Sequence, residues 1–477
     1  MENILSVNQM KNADRYTIES LGISDGELIK RVGGAVADEI AKRFSNGNVL
    51  VCIGKGNNGE DGKVVAEKLS EFGFTVTRFF AEDGDFTVFN KDYDIVVDAL
   101  FGTGLNREVT GVYKSAIEKI NGLNAFIVSV DIPSGLNGDN GTVMGACVKA
   151  DLTCAVEYVK TGHLLGDGLD FCGEIKVLCV GIESEKTDFS LRLEDPDVKK
   201  YFMPRKRNVN KGSFSKAAIV GGSREYSGSV LLSLNALSAL KCGLGYANLT
   251  VPESLYPQYL GIAPECTMGF LKDENGRVIY DDEGLYKLLK YDAVSFGMGM
   301  GVSEEIYKSL KYLLKNFTGE LIIDADGLNS LSKYGVEILL NKKCGVILTP
   351  HVKEFSRLSG LTVGDILSRP IECAKDFAVK YGVTVLLKSA TSVITDGNAV
   401  YINTAGTNAL AKGGSGDTLS GLIAGLITRE GKRAEKVAAA NYLFGTAARI
   451  ATEEENEYTV SATDVIKYLP KAINSLV

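Results

Sequence analysis

Short apolar runs alternate with amphipathic stretches along almost the whole chain. Residues 27–43 repeat apolar side chains at helical spacing and predict a helix with one buried face. A second helix is predicted from about Lys63. The apolar runs predict buried strands at 48–53, 94–99, 125–130, 150–156 and 174–180. Strands that alternate with helices are typical of an α/β domain with a mostly parallel sheet.

A second series of the same kind begins after a charged interruption. Residues 183–210 are rich in charge and contain Pro196 and Pro204, which places a domain boundary there. The pattern therefore predicts domains at 1–205 and 206–477 that are not copies of each other. In the second domain, strands are predicted at 216–222, 292–297, 320–327, 345–350 and 383–389, and the last hundred residues are helix-rich.

Composition narrows the class of protein. The chain has 477 residues, 45% of them hydrophobic, and a formal charge of −8, which offers no basic face for nucleic acid. Nine cysteines occur without a CxxC pair and are expected to be reduced and mostly buried. Neither a signal peptide nor a membrane-spanning run is expected, so we predict a cytoplasmic protein. Two histidines argue against a histidine-rich metal site.

Three polar, glycine-rich loops follow predicted strands in the first half, at 54–62, 98–108 and 131–141. Carboxyl ends of parallel strands meet at one edge of a sheet, where open α/β folds bind ligands. That edge would carry Asn58, Asp98, Asp131 and Ser134, whose oxygen atoms suit a hard cation. Ordinary turns and caps are the alternative for any one loop, since Asp, Asn, Ser and Gly form turns. Three loops in register favour a site.

The second half places its own polar groups after predicted strands. Residues 408–425 read NALAKGGSGDTLSGLIAG, so Asp417 lies among glycines directly before an apolar helix. Amides at such a helix start suit a phosphate, and an acid there fits a base for a nearby hydroxyl. The alternative is a glycine turn with an N-cap aspartate. Asp324 and Asp326 could equally be turn residues, and His351 a capping or core histidine beside a helix that opens at Pro350.

The first half resembles the NAD(P)H-hydrate epimerase family in GKGNNGEDG, DALFGTGL, DIPSGLNGD and EYVKTGHLLG. The resemblance implies a Rossmann-like three-layer αβα domain, a potassium ion held by Asn58, Asp98 and Ser134, and acid–base work by Asp131. It implies substrate contacts from Asn57, Asn58, Gly59, Glu60, Asp61, Gly102, Thr103, Gly104, Leu105, Asn106, Arg107 and Glu108. Glu60 departs from the family's usual glycine and is expected to crowd an anionic ligand. Lys160 could contact a phosphate, but a lone lysine is more often a solvated surface group, which is the expectation here.

The second half resembles the ribokinase-like superfamily, and within it the ADP-dependent NAD(P)H-hydrate dehydratases, in KGSFSKAAIVGGS, DADGLN, TPHVKEFSRL, LLKSATSVITDG and AKGGSGDTLSG. The resemblance implies a three-layer αβα domain with Asp417 as the base and with Mg²⁺ beside the nucleotide. It implies that Ser229, Gly299 and His351 face the hydrated nicotinamide. The residues implied to hold ADP are Lys388, Ser389, Ala390, Thr391, Ser392, Lys412, Gly413, Gly414, Ser415 and Gly416.

Together the two resemblances predict one chain that repairs hydrated NADH and NADPH, epimerising the R form and dehydrating the S form with ADP. Hydrated dinucleotide and ADP are the expected partners, without nucleic acid or membrane, in a homo-oligomer. One alternative is a small-alcohol kinase using ATP in the second half. The other is a first half that binds a ligand without catalysis.

Overall fold

A computed structural model describes residues 1–239 and 244–477. The chain divides into two compact units, Asn3–Ser190 and Leu191–Val477, and Met1–Glu2 belongs with the second. We call them the N-terminal and C-terminal units. This division lies earlier than the boundary at 205/206 expected from the charged segment. The reason is that Val198, Tyr201 and Phe202 from that segment are buried in the core of the C-terminal unit.

The N-terminal unit consists of alternating strands and helices. Its strands are β1 (Glu2–Leu5), β2 (Asn48–Ile53), β3 (Thr75–Phe80), β4 (Ile95–Ala99), β5 (Phe126–Val130), β6 (Leu152–Val156), β7 (Val159–Lys160) and β8 (Glu174–Leu178). Its helices are α1 (Val7–Glu19), α2 (Asp25–Arg43), α3 (Asn57–Glu71), α4 (Gly111–Asn121), α5 (Thr161–Leu164) and α6 (Gly168–Phe171).

Six of these strands form a parallel sheet in the order β3-β2-β4-β5-β6-β8. Alternate side chains of β2 enter two different cores, because successive residues of a strand point to opposite faces. Val49, Val51 and Ile53 pack with residues of α1, α2 and α3, whereas Leu50 and Cys52 pack with residues of α4. The sheet is therefore the middle layer of the expected three-layer αβα arrangement.

The C-terminal unit repeats the alternation. Its strands are β9 (Ser190–Arg192), β10 (Ser215–Val220), β11 (Leu244–Pro252), β12 (Thr267–Leu271), β13 (Asp273–Glu274), β14 (Arg277–Val278), β15 (Ala293–Phe296), β16 (Glu320–Ile323), β17 (Gly345–Leu348), β18 (Thr384–Leu387), β19 (Ser392–Thr395) and β20 (Val400–Asn403). Its helices are α7 (Asp195–Lys199), α8 (Ser227–Ala239), α9 (Tyr256–Tyr259), α10 (Asp282–Tyr286), α11 (Glu304–Asn316), α12 (Asp326–Tyr334), α13 (Val352–Ser359), α14 (Val363–Ser368), α15 (Pro370–Tyr381), α16 (Ser415–Leu426), α17 (Arg433–Glu454) and α18 (Ala462–Leu476).

The main sheet of this unit runs in the order β12-β11-β10-β15-β16-β17-β18-β19-β20. Neighbouring strands in the run β12-β11-β10-β15-β16-β17-β18 are parallel, and β18, β19 and β20 are joined in antiparallel pairs. One large core joins this sheet to α8, α16, α17 and α18. The carboxyl ends of β10, β15, β16 and β17 lead into the loops predicted to carry chemistry, so the topology gathers those loops at one edge.

Helix α3 begins at Asn57, six residues before the predicted start at Lys63. A Cβ at Gly59 would lie 1.9 Å from the Gly54 carbonyl oxygen, and one at Gly62 would lie 2.6 Å from the Ala99 Cβ. The glycines that predict a loop are therefore needed where the helix packs closely on the sheet. Similarly, α13 begins at Val352 with His351 as its N-cap, so Pro350 precedes the helix rather than opening it.

Candidate functional sites

A cavity of about 1060 Å³ lies in the N-terminal unit. Its wall includes Asn57, Asn58 and Asp61 from the start of α3, and Asp131 from the end of β5. The whole predicted segment Gly102, Thr103, Gly104, Leu105, Asn106, Arg107 and Glu108 also lines it. The structure therefore brings the three predicted loops to one cavity, as the parallel topology requires.

Two residues of the predicted set 57–61 do not line this cavity. Gly59 is buried against the Gly54 carbonyl, where a side chain would not fit. The Glu60 carboxylate lies 2.7 Å from Lys63 Nζ, one turn further along α3. The crowding expected from Glu60 is thus not found at the cavity wall, because its charge is directed along the helix surface.

Lys160 is fully buried, and the expectation of a solvated surface lysine is wrong. Its Nζ donates to Asp131 Oδ1 at 2.5 Å and to the Val156 carbonyl at 2.7 Å. Val156 N also donates to Asp131 Oδ1, at 3.2 Å. Asp131 has a backbone φ of 67°, a left-handed conformation that is uncommon for a non-glycine residue. The ion pair and this backbone conformation together fix the carboxylate at the cavity wall.

His163 supports the Lys160 segment from the buried side. Its Nδ1 accepts a hydrogen bond from Lys160 N at 3.2 Å, so the ring fixes the backbone beside the ion pair. Burial, and then the charge of Lys160, lowers the pKa of His163 to about 3. The imidazole is therefore neutral at neutral pH and leaves Asp131 as the anionic partner of Lys160.

Asn58, Asp98 and Ser134 are all buried at the predicted edge of the sheet. Ser134 Oγ donates to Asp98 Oδ1 at 2.6 Å, and Ser134 N donates to Asp98 Oδ2 at 2.8 Å. Asn58 Nδ2 donates to the Val130 carbonyl at 2.8 Å, while the Asn58 Oδ1 has no hydrogen-bond partner. A buried carbonyl oxygen without a partner costs about 1–3 kcal/mol. An oxygen-only donor set with one unsatisfied member fits a hard cation such as potassium.

Asp14 is a cavity-lining carboxyl that the motifs did not reveal. It lies on the face of α1 that also bears Met10 and Ile18. Burial, and then the charge of Asp131, raises the pKa of Asp14 to about 6, although Lys160 opposes this. Burial together with Asp131 and Asp14 raises the pKa of Asp61 to about 8. A sequence signal existed, because Asp14 occupies an otherwise apolar helical face.

In the C-terminal unit, Asp417 lies in the first turn of α16. The preceding Gly414 is the N-cap and has a φ of 91°, where a Cβ would lie 2.5 Å from Leu232 Cδ1. Burial, and then the charge of Asp324, raises the pKa of Asp417 to about 7. A carboxylate with a pKa close to neutral can accept a proton and release it again.

Lys388 and Asp324 form an ion pair beside this helix start. Lys388 Nζ lies 3.1 Å from Asp324 Oδ1, and Ser420 Oγ donates to Asp324 Oδ2. Burial opposes the charge of Lys388, but the carboxylates of Asp324 and Glu354 hold its pKa above the usual range. A Cβ at Gly416 would lie 3.1 Å from Lys388 Nζ. Lys388, its partner Asp324 and the glycine turn at the start of α16 therefore lie next to one another.

His351 is the N-cap of α13, which agrees with the capping role that the sequence analysis gave as an alternative. Its Nδ1 accepts from the backbone nitrogens of Lys353 and Glu354 at 3.1 and 3.3 Å. Its backbone pairs with Lys388 in an isolated parallel bridge, which places it at the same sheet edge. Burial, and then Lys388, lowers the pKa of His351. The His351 side chain remains about half exposed, and its Nε2 lies 3.6 Å from Glu354 Oε2.

Ser229 and Gly299 are also adjacent. A Cβ at Gly299 would lie 3.2 Å from Ser229 Cβ and 2.8 Å from the Tyr226 carbonyl oxygen. Ser229 hydrogen-bonds Asp417, which opposes the rise in the pKa of that acid. The structure therefore connects the predicted contacts Ser229 and Gly299 to the predicted base.

The predicted nucleotide residues divide into two groups. Ser389 and Ala390 lie in an exposed turn before β19, and Ser389 Oγ donates to the Thr391 carbonyl, whereas Thr391 and Ser392 are buried. Lys412 Nζ donates to the carbonyls of Glu457, Tyr458 and Val460 at 3.1, 2.8 and 2.7 Å. An ammonium has only three donors, so the Lys412 side chain serves a structural role here, contrary to the expected ligand contact.

The cysteines, the possible metal ligands and the helix lengths complete the description of the chain. Its eight cysteines are free and six of them are buried, and Cys242 lies outside the described residues. No group of three or more His, Cys, Asp or Glu residues there could hold a metal ion. Within the same residues, no helix has the length and apolar character to cross a membrane.

The chain is similar to known proteins over both units. A family model described as NAD(P)H-hydrate dehydratase matches residues 217–471, and one described as YjeF-related protein N-terminus matches 25–87 and 81–162. A bifunctional NAD(P)H-hydrate repair enzyme from Thermofilum pendens is 34% identical over 99% of this chain and 96% of its own. One from Coxiella burnetii is 30% identical over 98% of each.

Solved structures are similar to the C-terminal part. An ADP/ATP-dependent NAD(P)H-hydrate dehydratase from Bacillus subtilis, co-crystallised with ATP and Mg²⁺, has a TM-score of 0.52 and 27% identity and covers 60% of this chain and 99% of that one. A ribokinase-like superfamily protein from Enterococcus faecalis has a TM-score of 0.50 and 23% identity, with 60% and 96% coverage. The predicted ribokinase-like fold is confirmed.

Proposed function

Because the chain belongs to the family of bifunctional NAD(P)H-hydrate repair enzymes, we propose how each unit performs one step of that repair. The N-terminal unit converts the R epimer of hydrated NADH or NADPH into the S epimer. The C-terminal unit dehydrates the S epimer, with ADP as the phosphoryl donor. The observation that carries this assignment is the position of Asp417, a carboxyl with a pKa of about 7 in the first turn of a glycine-capped helix.

In the N-terminal unit, Asp131 exchanges a proton with the hydroxyl oxygen on C6 of the hydrated ring. Carbon C6 carries both this oxygen and a ring nitrogen. Protonation of the oxygen lets the C6–O bond break, so water leaves and an iminium forms. Water that returns to the other face of C6 and loses a proton gives the other epimer. Lys160 holds the carboxylate in one orientation through their ion pair. Asn57, Asn58, Asp61 and the segment 102–108 line the space for the substrate.

Asn58, Asp98 and Ser134 are the residues that would hold a potassium ion. The unpartnered Asn58 Oδ1 supports this assignment, since ion binding would satisfy a buried oxygen. When bound, the ion would supply a fixed positive charge near the anionic substrate. Two hydrogen bonds from Ser134 hold the Asp98 carboxylate in place.

In the C-terminal unit, Asp417 removes the proton from the C6 hydroxyl. The hydroxyl oxygen then attacks the terminal phosphorus of ADP, and AMP leaves. Next, the C6–O bond breaks with departure of phosphate while C5 loses a proton, which restores the C5=C6 double bond. Lys388 and the amides at the start of α16 stabilise the charge that develops on the phosphoryl group.

The nucleotide is proposed to lie between the turn at Ser389, Ala390, Thr391 and Ser392 and the glycine segment 413–416. Asp326 would supply a carboxylate oxygen of the kind that Mg²⁺ prefers, with most of the ion's ligands coming from phosphates and water. Mg²⁺ would neutralise part of the phosphate charge. Ser229, Gly299 and His351 would contact the nicotinamide. A homo-oligomeric state and a cytoplasmic location remain predictions.

The proposed function is tested with purified protein and separate R and S hydrates of NADH. Return of the absorbance of the reduced ring is followed with ADP, with ATP and without nucleotide. Nucleotide-dependent recovery from R, faster than spontaneous epimerisation allows, would support both activities. Recovery from S alone would leave the N-terminal unit as a binding module. No recovery from either would favour the small-alcohol kinase.

A further inference from the structure

One face of α1 brings an acid into the cavity of the N-terminal unit. Met10, Asp14 and Ile18 are spaced four residues apart, so their side chains lie on the same side of the helix, and all three line the cavity. Met10 is buried, and Asp14 is half-buried next to it. The helix thus presents a carboxyl to the ligand space from an element distinct from the strand end that carries Asp131.

This carboxyl has no structural task. Among the described residues, no side chain or backbone group forms a hydrogen bond or ion pair with the Asp14 carboxyl. Buried carboxyls that only stabilise a fold are normally paired, because burial without a partner costs free energy. The pKa of Asp14 is raised to about 6 by burial and then by Asp131, which is close to the neutral pH at which a group both donates and accepts protons.

Epimerisation requires two proton-transfer groups if the hydroxyl leaves C6 as water. The C6–O bond breaks as one acid protonates the oxygen, and the ring nitrogen supplies the electron pair for an iminium. A water molecule then adds to the opposite face and gives its proton to a second group. One water leaves and one is added, and the proton that the first group loses equals the proton that the second group gains, so oxygen, protons and charge balance. Proton exchange with solvent then restores both groups for the next turnover. One carboxylate cannot reach both faces of the ring at once.

We propose that Asp14 is the second proton-transfer group of epimerisation and acts on the face of the ring opposite to Asp131. For the epimer whose hydroxyl faces Asp14, the Asp14 carboxyl donates the proton and Asp131, which pairs with Lys160, accepts one from water. For the other epimer the roles are reversed. This inference rests on the proposed epimerase function of the N-terminal unit.

Other charged groups face the same space and must be considered in any pH dependence. Those that line the cavity or act on Asp14 are Lys11, Asp25, Lys55, Asp61, Glu82, Arg107, Glu108, Tyr113, Asp131 and Lys160. Asp61 is the principal competitor, because it also lines the cavity and its pKa is raised to about 8. The test therefore includes Asp61→Asn as a separate arm.

The test compares Asp14→Asn with wild type in the full chain, with R hydrate, S hydrate and ADP. Turnover of R hydrate should fall by about 100-fold or more, as expected for loss of a general acid or base. Turnover of S hydrate, which the C-terminal unit performs, should not change. The urea unfolding midpoint of the N-terminal unit, followed by hydrogen exchange, should also stay close to that of wild type, which shows that the unit around Asp14 is folded. Glu19→Gln, an exposed acid on the same helix, should leave both rates unchanged. Asp14→Glu should recover part of the R turnover.

A pH profile separates proton transfer from a structural role. In wild type, kcat/KM for R hydrate should depend on a group that titrates near pH 6, and Asp14→Asn should lack that dependence. Retention of more than a tenth of R turnover in Asp14→Asn would overturn the proposal, as would a slower variant with the pH dependence intact. Loss in Asp61→Asn alone would transfer the role to Asp61. If wild type does not convert R hydrate, the proposed function itself fails.

Discussion

The ammonium of Lys160 lies 2.5 Å from the carboxylate of Asp131 and is completely shielded from solvent. The two residues are 29 positions apart, and the pair joins the end of β5 to β7. A buried lysine remains charged only when such a partner is present. The pair is therefore needed both for the fold of the N-terminal unit and for the position of its proposed acid–base residue.

Replacing Lys160 by Met should destabilise the N-terminal unit by about 3–5 kcal/mol, because Asp131 would keep a poorly solvated charge without a partner. Urea unfolding followed by hydrogen-exchange mass spectrometry would measure this loss for the N-terminal unit separately. Lys68→Met is the matched control, since Lys68 pairs with Glu71 on the surface and its loss should have little effect. Equal effects of the two changes would contradict the importance of the buried pair.

Asp61 should make the N-terminal unit less stable as pH rises. Its pKa is about 8 in the folded protein, against 3.8 ordinarily, so the folded state binds more protons between these values. Stability therefore falls as pH rises through that window. Asp61→Asn should raise the free energy of unfolding by roughly 2–4 kcal/mol at pH 8 and by almost nothing near pH 3.5. Urea titrations at both pH values test this, and a gain independent of pH would contradict it.

Dehydration should depend on the ionisation of Asp417. The pKa of about 7 predicts that the rate with S hydrate and ADP falls as pH decreases below 7, because the base becomes protonated. Asp417→Asn should lower this rate at least 100-fold while conversion of R to S hydrate, followed by chromatography, continues. Dehydration that persists in Asp417→Asn would rule out this base.

Potassium should stabilise the N-terminal unit through Asn58. A ligand that binds only the folded state raises the melting temperature, so Tm should be higher in potassium chloride than in tetramethylammonium chloride of equal ionic strength. Asn58→Leu removes the unpartnered oxygen and should abolish the difference between the two salts. A difference that survives in Asn58→Leu would place the ion elsewhere. This readout does not depend on enzymatic activity.

Local patterns in the sequence predicted much of the fold. β2 begins and ends at the predicted residues, and the starts of β4 and β5 differ by one residue, because their apolar runs are buried on both faces of a sheet. β8 ends two residues before the predicted end. Strand β3 was missed, since four of its six residues are polar or exposed at the sheet edge. The start of α3 was wrong because glycine serves close packing as well as turns.

The sequence predicted the side-chain contacts of the sites less well than it predicted the strands and helices. The loops could be placed at a common edge because parallel topology requires it. In contrast, the burial of Lys160 follows from a partner 29 residues away, and the engagement of Lys412 follows from carbonyls more than 40 residues away. Asp14 was missed because an isolated acid on a helix carries no motif. Such facts depend on tertiary contacts, which local composition does not record.

Three raised carboxyl pKa values determine which groups of this protein exchange protons near neutral pH. Its formal charge of −8 assumes that every carboxyl is ionised, yet Asp14, Asp61 and Asp417 have pKa values of about 6, 8 and 7. Both histidines have lowered pKa values, that of His163 to about 3. Proton exchange near pH 7 therefore belongs to acids that face ligand space. Binding of an anionic nucleotide will draw protons from solution, and the calorimetric heat of binding will vary with the ionisation enthalpy of the buffer.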